Sequence, residues 1–487
     1  MKSIKSFISK VLCIQRLRVF LVVVLIITLV IALYSCDNID NGGTNGENTT
    51  PPSSPPPTDD VSHIVDPDRS QFYGETLTIG TMSDFMLKPF ASLYMKDNPG
   101  VTIEIIDYWQ LLPDGLSSDE DILDLMSKIN VELMAGSGPT LISSFFVDYR
   151  NPREAVYLAD WFPVIKADPA FNEDDWFMNV FHASSVHGRL YSFPTMFTYY
   201  NVAVNSKVPG LWETLVGRSG ITASELLDLH SQYAAGTELL LSSSFAMYWI
   251  MEYFIDSFMD FESGWVDFNN ERFINLITHF KEIITKEHID SWNYYDHERE
   301  TFLSERFLFH IVSPSVPQYF IDFENGPIFH GHIPLTNENG DLYIGNWESY
   351  VLNANASPIE QALAWDFIKF ITETENSSIF NMYLQPTNRD LFRSNADQLI
   401  VGIVSHLESE GWETRLSNEA AIQDAIKLME YYGDKPMIMM SDVPRMIRFS
   451  IGTTLDLFYN DLITAERAAA DIQNTVELML MEMDILR

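Results

Sequence analysis

The chain is poor in cysteine, with 2 in 487 residues, Cys13 and Cys36. Both precede every segment that carries a folding pattern, so the body has neither a disulfide nor thiolate chemistry to offer. It is also short of positive charge: 30 Lys and Arg stand against 68 Asp and Glu, a formal net charge of −38. Five of the basic residues (Lys2, Lys5, Lys10, Arg16 and Arg18) fall in the first 35 positions, which hold no acid. The remaining 25 face all 68 acids. That balance excludes nucleic-acid binding, which needs basic surface to neutralise phosphate. It also excludes adhesion to an anionic bilayer by charge.

Enzyme signatures are missing too. There is no G-x-S-x-G, no H-E-x-x-H and no G-x-x-x-x-G-K-[ST]. Among 68 acids, carboxylate pairs occur everywhere, so proximity in sequence says nothing about a glycosidase pair. Asp119-Glu120-Asp121, after Ser118, reads as the acidic start of a helix. His330-Gly331-His332 lacks a further ligand and reads as a loop, and His182 and His187 are badly spaced for one helix face. The expectation is a non-enzyme with no metal and no cofactor.

What is present begins at the amino terminus. Basic residues 1–18 precede an apolar run over 19–34, followed by Leu33-Tyr34-Ser35-Cys36. A positive region, an apolar region and a small residue before a cleavage point describe an export signal. Leu33, Ser35 and Cys36 are similar to the lipobox of bacterial lipoproteins; Tyr34 departs from it, since a small residue is usual there. That resemblance implies a signal peptide over 1–35 and a diacylated Cys36 as tether, two chains being enough for lasting attachment. The alternative is an uncleaved signal anchor. Both put the body outside the cytoplasm. Residues 36–74 add a Pro-, Ser-, Thr- and Asn-rich stalk with almost nothing to bury.

From Glu75 the pattern alternates. ETLTIGT reads as a strand, MLKPFASLYMKD as a helix stopped by Asn98-Pro99-Gly100, VTIEIIDYW as a strand, and DILDLMSKINVELMAGSGPTLIS as helix, turn and strand. Strands alternating with helices indicate an α/β sheet, with ligands beyond the carboxyl ends of its strands. That places Ser83, Asp84 and Ser137 on a binding edge. At 487 residues the chain exceeds a single core.

The order of these pieces resembles the extracellular solute-binding proteins of ABC importers, family 1, sugar-binding type. The motifs are NPGV (98–101), TIEI (102–105), LMAGSGP (133–139), HGRLYSFPTMFTYYNVAVNSKV (187–208), NERFINLITHFKEI (270–283), NWESYVLNANASPIEQALAWDFIKFIT (346–372), LQPTNRDLF (384–392) and FYNDLITAERAAADIQNTVELML (458–480). Thr140 departs from the family, which commonly has Asp there. The resemblance implies an α/β, two-lobe, periplasmic-binding-protein-like fold with a hinge. Lobe one spans 75–194 plus 334–383, and lobe two 195–333 plus 384–487. It also implies a monomer that delivers a small solute, a carbohydrate, to ABC permease subunits.

A sugar offers an apolar C–H face and a hydroxyl rim, which an aromatic ring beside a polar side chain can hold. The candidate contacts are therefore Trp347 and Glu348, Tyr200 after the first crossover, Trp249, Ser83, Asp84 and Ser137. Asn388, Arg389 and Trp109 are weaker choices. A polyamine or peptide ligand, or a sensor role without transport, are the alternatives.

Overall fold

The computed structural model describes residues 69–112, 119–205, 208–233, 253–283, 308–312, 329–346, 349–373, 385–394, 427, 430–440 and 443–485. Cys36, the export segment and stalk residues 36–68 lie outside these residues, as do Trp249, Trp347 and Glu348, whereas the end of the expected stalk is folded: Arg69–Phe72 forms a 3-10 helix and Phe72 is buried in the core of the first lobe.

The first sheet holds β1 (Thr76–Thr81), β2 (Thr102–Asp107), β3 (Leu141–Ser143), β4 (Ser192–Pro194) and β13 (Ser349–Leu352), ordered β2-β1-β3-β13-β4. β1 runs parallel to β2 and β3, and β13 runs antiparallel to β3 and β4. The helix α1 (Asp84–Asp97) returns the chain from β1 to β2, and α2 (Asp119–Met134) returns it from β2 to β3. The first ends as its sequence requires: the Asn98 side chain donates to the Tyr94 carbonyl at 2.9 Å, and Gly100 turns the chain at φ 101°.

One face of this sheet packs Leu77, Ile79, Trp161, Phe193 and Leu352 against α9 (Pro358–Glu373), which contributes Leu363, Trp365 and Phe367. A smaller core of Tyr108, Ile129, Leu133, Phe146 and Val351 lies with α2. Phe146 and Val147 anchor the loop after β3, and the short α3 (Pro152–Ala155) follows it. α4 (Trp161–Ala167) and α5 (Met178–Ser184) complete this lobe.

The second sheet is built from β5 (Met196–Tyr199), β6 (Asn201–Asn205), β10 (Phe309–Val312), β11 (Phe329–Thr336), β12 (Leu342–Gly345) and β14 (Gln385–Pro386), ordered β10-β6-β11-β12-β5-β14. β7 (Ile221–Thr222) joins β11 and β15 (Met437–Met439) joins β12, while β8 (Met259–Asp260) and β9 (Trp265–Val266) form a separate hairpin. Its core draws on α6 (Leu211–Leu215), α7 (Ala223–Tyr233), α8 (Glu271–Ile283), α10 (Arg445–Tyr459) and α11 (Ala465–Glu482). Phe273, Ile277, Ile447, Ile451, Ala468 and Ile472 are fully buried there.

The chain passes between sheets through Thr195, where β4 hands over to β5. It returns between β12 and β13. This corrects the expected crossing at Pro334. That residue pairs with Asn201 inside β11, so 334–345 belong to the second lobe. The third crossing runs from α9 to β14, where Gln385 pairs with Phe197.

Candidate functional site

A pocket of about 490 Å³ lies between the lobes. Its lobe-one wall is Arg150, Ser185 and Val186, and its other wall comes from lobe two. Tyr253, Phe261 and Tyr343 bring rings to it. Asp256, Asp260, Glu262 and Glu338 bring carboxylates, against which Arg150 is the one Lys or Arg among the described residues of the lining. Two of the acids are already engaged. The Asp260 carboxylate accepts from the Glu262 N–H at 2.9 Å, and Glu262 pairs with His187 Nδ1 at 3.5 Å. Burial holds the Tyr343 hydroxyl protonated, reinforced by Asp256, Glu338 and Asp341, so it is a neutral hydrogen-bonding group.

Beside Arg150 lies a second concentration of polar chemistry. Asp148, in the loop after β3, is buried and accepts from the backbone N–H of Arg445 at 2.9 Å. Burial raises its pKa, while the Arg445 side chain and N–H, Arg448 and Arg150 pull it down. Glu154 accepts from the Asp148 N–H at 3.1 Å and from the Asn151 amide at 3.2 Å. Burial pushes the Glu154 carboxyl up to about 7.

The residues expected from sequence are distributed differently. Ser83 and Asp84 do stand at the carboxyl edge of β1, where the Asp84 carboxylate pairs with Lys88 and its N–H approaches Asp107 at 3.4 Å. Asp107 also accepts from the Trp109 N–H at 3.0 Å, so its carboxylate links the loop after β1 to the loop after β2. Phe85 (64% exposed) and Trp109 (38%) flank this edge. Ser137 is exposed, but its hydroxyl donates to the Glu132 carbonyl at 3.0 Å, closing the end of α2. Thr140 is buried, with its N–H bonded to Thr78 Oγ1 at 3.0 Å.

The alternation of Tyr199 and Tyr200 does not expose either ring. Both are buried, and Tyr200 belongs to the core of lobe two. Its hydroxyl packs onto Gly345, where an added Cβ would stand 2.7 Å away. Strands of this sheet are covered on both faces, so alternation there does not separate core from cleft. Arg389 donates to the Trp176 carbonyl at 3.1 Å and pairs with Asp434 at 2.5 Å, while the Asn388 side chain accepts from the Leu391 N–H at 3.0 Å. Both are bracing groups at the third crossing. His330 and His332 fall on β11 rather than in a loop. Among the described residues there is no cluster of three metal-ligating side chains.

Among the described residues, none of the expected contacts lines the interlobe pocket. Sequence reasoning missed Arg150 and Asp148; the Arg445 partner of Asp148 lies far away in the chain. The available signal was the polar run Asp148-Tyr149-Arg150-Asn151 in the loop beyond β3, on the carboxyl side from which open α/β sheets present ligand-binding groups.

No family model and no curated protein matches the chain. Solved structures do. The maltose-bound MalE3 of T. maritima aligns at 16% identity over 83% of this chain and 100% of its own, with a TM-score of 0.52. The sugar-binding protein MalE of Xanthomonas citri aligns at 12% identity over 84% and 98%, TM-score 0.55. An ABC substrate-binding protein of Listeria monocytogenes, in complex with cycloalternan, aligns at 11% over 84% and 99%, TM-score 0.51. These likenesses establish the fold. The chain has the two-lobed α/β architecture of solute-binding proteins, and the neighbours named here are binding proteins rather than enzymes. Among the described residues no helix is long and apolar enough to cross a membrane.

Proposed function

We propose that this chain is the extracytoplasmic solute-binding subunit of an ABC importer, capturing a carbohydrate between its lobes and delivering it to a membrane permease. The observation that carries the reading is the pocket of about 490 Å³ with walls from both lobes, in the fold of sugar-binding proteins. Its combination of rings and hydrogen-bonding groups suits a polyhydroxylated solute. The crossings at Thr195, between β12 and β13 and between α9 and β14 serve as the hinge, closure around ligand being a known motion of two-lobed proteins. Cys36 tethers the body through a lipid, and the stalk lets a monomer reach its permease. The rings at Trp347 and Trp249, with Glu348, complete the ligand contacts, and Ser83 and Asp84 serve its outer edge.

One observation favours a second reading. The pocket's four carboxylates against one guanidinium would suit a cationic solute such as a polyamine.

The test is thermal-shift screening of the body from residue 68 against mono- and oligosaccharides, polyamines, amino acids and short peptides. A ligand specific to the folded state raises Tm by mass action. A shift with one carbohydrate, reduced in Arg150→Ala and Trp347→Ala, supports capture of a sugar. A shift with polyamines alone replaces the sugar and leaves the rest intact.

A further inference from the structure

Asp148 and the first turn of α10 come from different lobes. The Asp148 loop is anchored in lobe one by Phe146 and Val147, and α10 is anchored in lobe two by Ile447, Ile451 and Leu455. A helix start presents backbone N–H groups without helical partners, together with the positive end of the macrodipole. Here the N-cap position is Pro444, which has no side-chain acceptor, and no side-chain cap bond forms. Asp148 supplies the acceptor from across the lobe boundary, at 2.9 Å from the Arg445 N.

The surroundings reinforce this contact. The Arg445 guanidinium lies over the lobe-one ring of Phe145, 4.4 Å from its centroid, and approaches Met126 Sδ at 3.5 Å. Arg150 flanks the carboxylate from its own loop and Arg448 from the next turn of α10. On the lobe-one side Asp148 is fixed before any partner arrives, through its N–H to Glu154, while Asn151 accepts from the Arg153 N–H at 3.1 Å to start α3. Among the described residues, the other ion pairs that bridge the lobes at the pocket's margins are exposed: His187 with Glu262 and Arg153 with Asp484. Exposed pairs contribute little.

We infer that Asp148 is a closure latch: a lobe-one carboxylate that caps α10 of lobe two and holds the lobes together over the pocket whether or not ligand is bound. Solute entry then requires this contact to break. Removing it raises the open fraction and changes the apparent affinity without touching a ligand contact.

The body's freedom from cysteine makes the test direct. In the full chain, in detergent, Cys13 and Cys36 are replaced by Ser, and spin labels are placed at Lys96→Cys on α1 and Leu478→Cys on α11. Distance distributions are recorded without ligand. Three variants separate the contributions. Asp148→Ala removes the acceptor. Arg445→Pro removes the donor N–H at a first helical position, where proline is tolerated, and Pro444 already has the extended backbone (φ −50°, ψ 141°) that a following proline needs. Arg445→Ala keeps the N–H and removes the guanidinium.

A charge-assisted hydrogen bond of this kind predicts an open population raised roughly tenfold in Asp148→Ala and Arg445→Pro, with a smaller change in Arg445→Ala. The idea fails if Arg445→Pro melts normally and keeps the parental distances. It also fails if Arg445→Ala opens as far as Arg445→Pro, since the side chain would then be the tie. If Asp148→Ala does not fold, Arg445→Pro alone decides. No ligand enters the experiment, so a wrong solute class cannot be mistaken for a wrong latch.

Discussion

Glu154 is the residue whose titration should be easiest to see. Burial raises its carboxyl from an ordinary value near 4.5 to about 7, and the neighbouring Asp148 charge adds to the rise. A raised folded-state pKa means that the stability associated with the protonated form is fully present below about 4.5 and is lost as pH climbs through 7. Glu154→Gln should therefore flatten the pH dependence of urea stability in that window. At pH 8 it should gain on the order of 1–2 kcal/mol. An unchanged slope would mean that Glu154 is solvated. Asp168 behaves oppositely. Burial pushes its pKa up, but Lys369, the Ala170 N–H at 2.9 Å and the Trp365 indole at 2.9 Å outweigh that and hold it below the usual range. Its stabilisation is present above the unfolded value and fades as pH falls through the native one. Lys369→Met, which leaves a buried carboxylate without its cation, should cost about 3 kcal/mol at pH 7, measured by denaturant unfolding.

At the scale of elements, α9 shows how a local signature becomes tertiary structure. Ser357 and Glu360 form a reciprocal capping box: the Ser357 N–H donates to the Glu360 carboxylate at 2.7 Å, and the Glu360 N–H to Ser357 Oγ at 3.3 Å. The helix they start buries Leu363, Trp365 and Ile368 in the lobe-one core. Ser357→Ala should cost about 1 kcal/mol and raise amide exchange in the first turn of α9 while leaving lobe two unaffected. Such elements were legible in the sequence because their signals lie within a few residues of one another. The β1-α1-β2-α2-β3 run stands where its periodicity puts it, and α8 and α9 fall within the segments 270–283 and 346–372 (plus the first residue beyond) that the family resemblance marked. The second crossing was misplaced because β11 and β12 form a hairpin within lobe two, and Pro334 marks no break in it. Tyr200, expected to face the cleft, is buried because both faces of its sheet are covered. Asp148 was missed because its partner lies 297 residues away, and no local period carries information over such a separation.

As a whole, the molecule has a hydrophobic core in each lobe, joined by three crossings, by the packing of α5 against β15 and of Phe177 against Phe197, and by polar bridges. Separate cores with few shared contacts need not melt together. Calorimetry without ligand should resolve two overlapping transitions, and a saturating ligand that touches both lobes should draw them into one at higher temperature. A single sharp transition in the ligand-free protein would show that the lobes are coupled more strongly than their contacts suggest.

The strand order of the first sheet also sets a timetable. β13 lies between β3 and β4, yet it emerges from synthesis after all of β5 to β12. Until residue 352 is available, β3 has an unsatisfied edge and β4 has no neighbour in its sheet. Lobe one, although first in the chain, therefore cannot finish before most of lobe two has been made. A nascent chain paused between residues 205 and 348 carries a naked, apolar strand edge, the kind of surface that invites pairing with another chain.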